Sequence, residues 1–156
     1  MSHVASIEVK ITNLEALKAA CAELGVAWYE GQKNYKWYGT SVGDYPLPAG
    51  MTVEMLGKCE HAIHVPGVEY EVGVVKLSDG TYTLAFDFWG PGQGLLKKFG
   101  DKLGVLTQRY GVCAAEGMAK LKGLPVNRTV KSDGSIRLEI GASSGFGSSF
   151  ATRSYL

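Results

Sequence analysis

The chain has 156 residues, 46% hydrophobic and 20% charged, with sixteen Lys+Arg against fifteen Asp+Glu for a net charge of +1. That length suits one domain and allows a core built without metal or disulfide staples, while the near-neutral balance and the lack of a basic run argue against nucleic acid. No apolar stretch reaches membrane-spanning length and Met1 to Lys10 lacks the layout of a secretory signal, so an intracellular, cytoplasmic setting is expected.

Val4 to Ile11 alternates, with Ala5, Ile7, Val9 and Ile11 on one face, which is the period-2 pattern of a half-buried strand. Thr12-Asn13 then offers an N-cap, and Leu14, Leu17, Cys21 and Leu24 mark one face of a helix that Gly25 ends. Val26 to Tyr38 is rich in aromatics and reads as two short strands around a turn at residues 30–34, followed by an exposed loop from Gly39 to Gly50. Lys58 to Val65, Tyr70 to Leu77 and Tyr82 to Phe88 form an antiparallel meander, with the Asp79-Gly80 turn as its clearest hairpin signal.

Pro91-Gly92-Gln93-Gly94 breaks the sheet. A second helix carries Leu103, Leu106, Tyr110, Cys113 or Ala114, Gly117 and Leu121 on one face and ends near Gly123, with glycines 100, 104, 111 and 117 inside it. Each of those glycines costs up to about 1 kcal/mol relative to alanine, so packing must support the helix, and Gly111 and Gly117 permit a close helix-to-sheet approach. Val126 to Val130 and Ser135 to Ile140 flank an Asp133-Gly134 turn as a last hairpin with Ile136, Leu138 and Ile140 inward. The expected class is α+β, a two-layer sandwich of a mainly antiparallel sheet with two helices on one face, arranged as a ferredoxin-like core with an added hairpin. The domain spans 1–142, and 143–156 forms a Gly/Ser/aromatic tail.

The opening Met1-Ser2-His3 with its strand, the helix beginning Asn13-Leu14-Glu15-Ala16-Leu17, the stretch Val65-Pro66-Gly67-Val68-Glu69-Tyr70, the segment Leu103 through Tyr110 to Gly123, and Asp133-Gly134-Ser135-Ile136-Arg137-Leu138 together resemble the domain of unknown function 1257 family. Plastid, cyanobacterial, bacterial and phage-borne relatives belong to that family. The similarity covers residues 1–142 and implies a fold and an intracellular or phage setting. It implies no reaction, catalytic residue or cofactor. Relatives encoded beside an AAA-type ATPase imply at most a partner role, as an accessory subunit of such an ATPase or of a redox system.

The residues themselves offer few chemical sets. Cys21, Cys59 and Cys113 are odd in number and lack a CxxC pair, so they read as reduced thiols. Cys59, His61 and His64 are the one group of soft-metal ligand types, as a small metal-dependent hydrolase would need. On a strand, however, Cys59 and His61 share a face and His64 takes the other. Asp87 and Trp89 bracket a strand end, a common place for a ligand, but also the place for a capping aspartate and a packed aromatic. Gly90-Pro91-Gly92-Gln93-Gly94 lacks the Gly-Lys-Ser/Thr ending of a phosphate loop and reads as a turn.

Trp28, Tyr29, Tyr35, Trp37 and Tyr38 suggest a contact surface for protein, since a base-stacking platform would need a basic groove. The tail has linker composition interrupted by Phe146, Phe150 and Tyr155, which are expected to be held in pockets on their own domain or on a neighbouring copy. The reading that follows is a non-enzymatic binding or assembly protein, a homo-oligomer and possible phage product, self-associating through Trp28, Tyr35, Trp37 and Tyr38 and through the tail aromatics.

Overall fold

The computed structural model describes residues 4–5, 9–40, 47–141 and 150–155. Its architecture is α+β with two antiparallel sheets. The first sheet contains β1 (Val4–Ala5), β2 (Ala27–Tyr29), β3 (His61–His64), β4 (Val72–Lys76) and β5 (Tyr82–Asp87), in the order β1-β5-β4-β3-β2. The second contains β6 (Val126–Val130), β7 (Ile136–Gly141) and β8 (Phe150–Tyr155), in that order. The expected meander is present, but a ferredoxin-like core would hold its first strand in the centre of the sheet. Here β1 lies at the edge, antiparallel to β5, and the last hairpin forms a separate sheet.

Helix α1 (Leu14–Glu23) starts where Asn13 Oδ1 accepts from the Ala16 N–H at 3.1 Å, and Gly25 leaves it in the left-handed conformation. A second tie comes from the other end of the chain. The Tyr110 hydroxyl accepts from the N–H groups of Thr12 and Asn13 at 3.0 and 3.3 Å, fixing the turn into α1 from α3 (Gly104–Leu121).

The expected single second helix is divided. Gln93–Phe99 forms α2, and Gly100 (φ 77°) with the left-handed Lys102 and Leu103 separates it from α3. Two consecutive non-glycine residues in that region are unfavourable, and full burial of the Leu103 side chain is the compensating gain. Gly100 is thus a break between helices, and Gly104 is the first residue of α3.

The first sheet is packed on both faces. Ile63, Val72, Val74, Leu84 and Phe86 point toward the helices and join Leu17, Leu95, Phe99, Leu106 and Tyr110 in the main core. The alternate residues Ala62, Val75 and Ala85 join Tyr35, Met51, Leu56, Cys59 and Leu77 in a second core beneath the segment that links β2 to β3. A third cluster joins α3 to the second sheet through Val112, Ile136 and Leu138.

The second core corrects the reading of 26–38 as a two-strand hairpin. After β2 the chain makes only the single bridge Asn34↔Lys58, and Tyr35 lies 4% exposed across the sheet. Gly73 is the reason: a β-carbon there would sit 2.2 Å from the Tyr35 ring. Replacing Gly73 with Ala should therefore cost about 2–4 kcal/mol of stability. Urea unfolding should show most of that loss relieved when Tyr35→Leu is added, because the two changes act on one contact.

Candidate functional site

Among the described residues, three arrangements bear most on function. One is an ionic cluster where α1, α3 and β6 meet. Arg128 bonds Glu23 through Nη1 (2.6 Å) and Nη2 (3.2 Å), and Glu116 through Nε (2.7 Å) and Nη2 (2.9 Å). Arg109 Nη1 adds a bond to Glu23 Oε1 at 3.1 Å, and the Cys113 thiol donates to Glu23 Oε2 at 3.1 Å. Two guanidinium groups thus face two carboxylates. The Arg128 hydrogen bonds dominate and hold Glu23 down, from the usual 4.5 to about 2, so Glu23 is ionised at neutral pH and has no proton to give.

The second arrangement lies on the first sheet's face opposite the helices, at its β2 edge. A cavity of about 440 Å³ is lined by Tyr29, Gln32, Asn34, Tyr35, Lys36, His64 and Glu71. Glu71 forms its floor: Oε1 accepts from Gln32 Nε2 and from the Lys36 N–H, both at 3.0 Å, and Oε2 stands 3.8 Å from His64 Nδ1. His64 stacks on Tyr29 with ring centroids 5.7 Å apart. Sequence reading missed Glu71 because the strand pattern assigned it only an alternation position. Its partners come from a segment 35–39 residues earlier in the chain.

The third is the C-terminal strand. β8 pairs with β7 from Gly141↔Phe150 to Ile136↔Tyr155. Tyr155 is half-buried against α3, where a β-carbon at position 111 would come within 3.0 Å of its ring. Gly111 therefore provides the close approach expected of it. Gln108 Nε2 bonds the carbonyls of Gly134 and Tyr155, at 3.1 and 3.2 Å. The expected boundary at Ala142 and the tail residue Phe146 lie outside the described residues.

The proposed metal set is not assembled. Strand β3 begins only at His61, so Cys59 and His61 do not share a face as expected. Cys59 lies in the second core and donates to the Gln32 carbonyl at 3.1 Å, whereas His61 stacks on Trp28 and accepts from the Gly31 N–H at 3.0 Å. His64 is engaged with Tyr29 and Glu71. Among the described residues no group of three or more His, Cys, Asp or Glu side chains is placed to hold a metal ion.

The aromatic candidates are also divided. Tyr35 and Trp37 belong to the second core, and burial pushes the Tyr35 phenol up to about 12. They are not a free contact surface: glycines at 73 and 57 admit their rings to the interior. Trp28 packs at the margin of the main core, with its indole donating to Glu30. Tyr38 is 48% exposed and meets Trp89 edge-on at 6.5 Å. Asp87 is fully buried and caps the strand end, with Oδ1 accepting from the Trp89 N–H and Oδ2 from the Tyr38 N–H. Gly92 packs against the Asp87 carbonyl, where a β-carbon would fall 1.7 Å away, so glycine serves a close backbone contact there.

With this geometry in hand, known proteins give one point of reference. The chain is similar to Uncharacterized protein ycf35 of Guillardia theta. The two are 27% identical over 141 residues, which is 90% of this chain and 96% of ycf35. No family model matches, and no solved structure matches. Among the described residues no helix is long and apolar enough to cross a membrane.

The similarity to ycf35 brings no chemistry with it, so reactivity is judged from the side chains. Burial is the main cause that pushes the thiols up, Cys21 and Cys113 to about 12 and Cys59 to about 11. The thiolate is the nucleophile, so all three should react with an aromatic disulfide reagent at pH 8 at least about a hundredfold more slowly than in unfolded protein. The ionic cluster predicts an acid limb. A depressed Glu23 contributes stability above its unfolded value of 4.5 and loses that contribution as pH falls through about 2. Arg128→Met should lower stability at neutral pH and flatten the decline across that window, as read by urea unfolding at a series of pH values.

Proposed function

We propose that this chain is a non-enzymatic binding and assembly protein that joins copies of itself along the outer edge of β8. The observation that carries the reading is the six-residue register between β8 and β7. It makes the C-terminal segment an edge strand as long as its neighbour, and among the described residues no strand lies on its other side. An edge of this kind presents a row of unpaired N–H and C=O groups, which proteins usually guard with charge, proline or a bulge. Within β8 Arg153 is the one charged residue, and there is no proline.

Antiparallel pairing of β8 with β8 of a second copy about a two-fold axis would join two three-stranded sheets into one of six, a closed and self-complementary contact. The non-enzymatic part is supported by the protonated thiols and by carboxylates already matched to guanidinium groups. Membership of the domain of unknown function 1257 family is part of the same reading. It rests on the segments that resemble that family and on the likeness to ycf35 along nine-tenths of the chain.

The test is size-exclusion chromatography with light scattering over a range of concentrations, on the full chain and on a Thr152→Lys/Ser154→Lys variant. Ser154 is exposed, and lysines on an edge strand repel their copies across the two-fold axis; on β7 the first faces Glu139 and the second Arg137, so the circular dichroism spectrum checks that the pairing to β7 survives the like charge. The expected result is a dimer that weakens at least about tenfold in the variant, with an unchanged circular dichroism spectrum. A wild-type monomer at every concentration, or a dimer indifferent to the lysines, would remove β8 from the reading.

A further inference from the structure

The cavity at the β2 edge contains a buried carboxylate that the fold leaves half used. Glu71 is 3% exposed, and both hydrogen bonds it accepts go to Oε1. Among the described residues Oε2 has only His64 Nδ1 at 3.8 Å, beyond hydrogen-bond length. An ionised carboxylate offers about four acceptor sites, and those of Oε2 are left for a group that enters the cavity lined by Glu71. The matching group is an N–H donor, and a cationic one forms the strongest bond.

A bare cation would leave the other side of the cavity unanswered. Lys36 lines the same space, and its ammonium makes no ion pair among the described residues. Lys36 is exposed and borders this cavity of about 440 Å³, so its flexible side chain is within reach of a ligand seated there; the volume lies within the range of roughly 300–1,000 Å³ that small-molecule sites occupy. Tyr29, held against His64, supplies an aromatic wall, and Gln32 fixes the floor from the side.

We propose that this pocket binds a free amino acid, with its ammonium on Glu71 Oε2, its carboxylate on Lys36 and its side chain against Tyr29. A simple anion is repelled by Glu71, and a simple amine leaves Lys36 unpaired. A small zwitterion answers both charges at once. The proposal does not depend on assembly through β8, because the pocket lies on the other sheet.

The experiment is a thermal-shift screen of the full chain against the proteinogenic amino acids at about 10 mM, a concentration suited to ligands of so few atoms. Isothermal titration follows for those that respond, each compared with its amide and its N-acetyl form. One or a few free amino acids should saturate, and blocking either charged end should weaken binding at least about tenfold. Glu71→Gln keeps an acceptor for the Lys36 N–H, and Lys36→Met changes an exposed residue. Each should weaken binding by a similar factor, and Lys36→Met serves if the first variant fails to fold. Silence across the screen, equal binding of a blocked form, or undiminished binding to Lys36→Met overturns the proposal. Running the same titration on Thr152→Lys/Ser154→Lys separates this site from assembly, since its affinity should match that of the wild type.

Discussion

The absence of a side chain at Gly73 is the constraint on which the far face of the first sheet depends. A tyrosine ring can lie flat on a central strand only where that strand offers bare backbone, and Tyr35 takes that place. Once it does, residues 33–36 are drawn between two other segments. Tyr35 N–H donates to the Gly57 carbonyl, Cys59 N–H to the Lys33 carbonyl and Glu71 N–H to the Lys36 carbonyl. Met51, Leu56 and Leu77 close over the ring. The sheet thereby acquires an apolar layer on the face opposite its helices with almost no secondary structure of its own. The Glu71 cavity is a by-product of the same arrangement, because the turn that delivers Tyr35 to Gly73 also delivers Gln32 and the Lys36 N–H to the carboxylate.

Helix α3 plays the corresponding role on the other side. Its Tyr110 holds the entry to α1, its Gly111 receives Tyr155 from β8, and its Glu116 shares Arg128 with Glu23 of α1. Glu23 closes α1, where a negative charge opposes the helix dipole, so its pairing with two guanidinium groups offsets an unfavourable position as well as joining three elements. Main core, ionic cluster and second sheet thus converge on one helix. That helix tolerates internal glycines because its stability comes from packing on both sides.

What was legible in the sequence follows from how local each signal is. The Asp79-Gly80 and Asp133-Gly134 turns are fully local: each aspartate accepts from the N–H and hydroxyl of the residue two positions on, Thr81 and Ser135. The meander, the cap of α1 and the last hairpin rest on similarly short patterns, and they form where expected. The aromatic run at 26–38 misleads because its partner glycine is some forty residues away, and strand propensity cannot distinguish an aromatic in a ladder from one lying across it. The break between α2 and α3 is hidden for a related reason. Burial of Leu103 outweighs its own backbone preference, and that balance depends on the tertiary core. The pairing of β8 with β7 is invisible to composition, since Gly and Ser suggest a linker while the ladder uses main-chain groups that every residue has.

The same distinction bears on function. The groups that draw the eye in the sequence, the thiols, the histidine pair and the aromatics, are largely consumed by the fold. Cys59 donates to a carbonyl, His61 accepts from a backbone N–H, and Tyr35 and Trp37 fill the second core. Reactivity needs a group whose hydrogen-bonding or ionic capacity is not already met, and by that measure the ionic cluster is nearly closed: its carboxylates are matched to guanidinium groups, and among the described residues only Arg109 Nε is left there as a buried donor without a partner. Among the described residues two features can offer such capacity to a partner outside the chain: the outer edge of β8, through main-chain groups, and the second oxygen of Glu71, as an acceptor. Neither requires a bond to be broken. A sheet edge and a buried carboxylate beside an exposed lysine suit binding better than bond-breaking, and that is the physical basis for reading the protein as a binder before a catalyst.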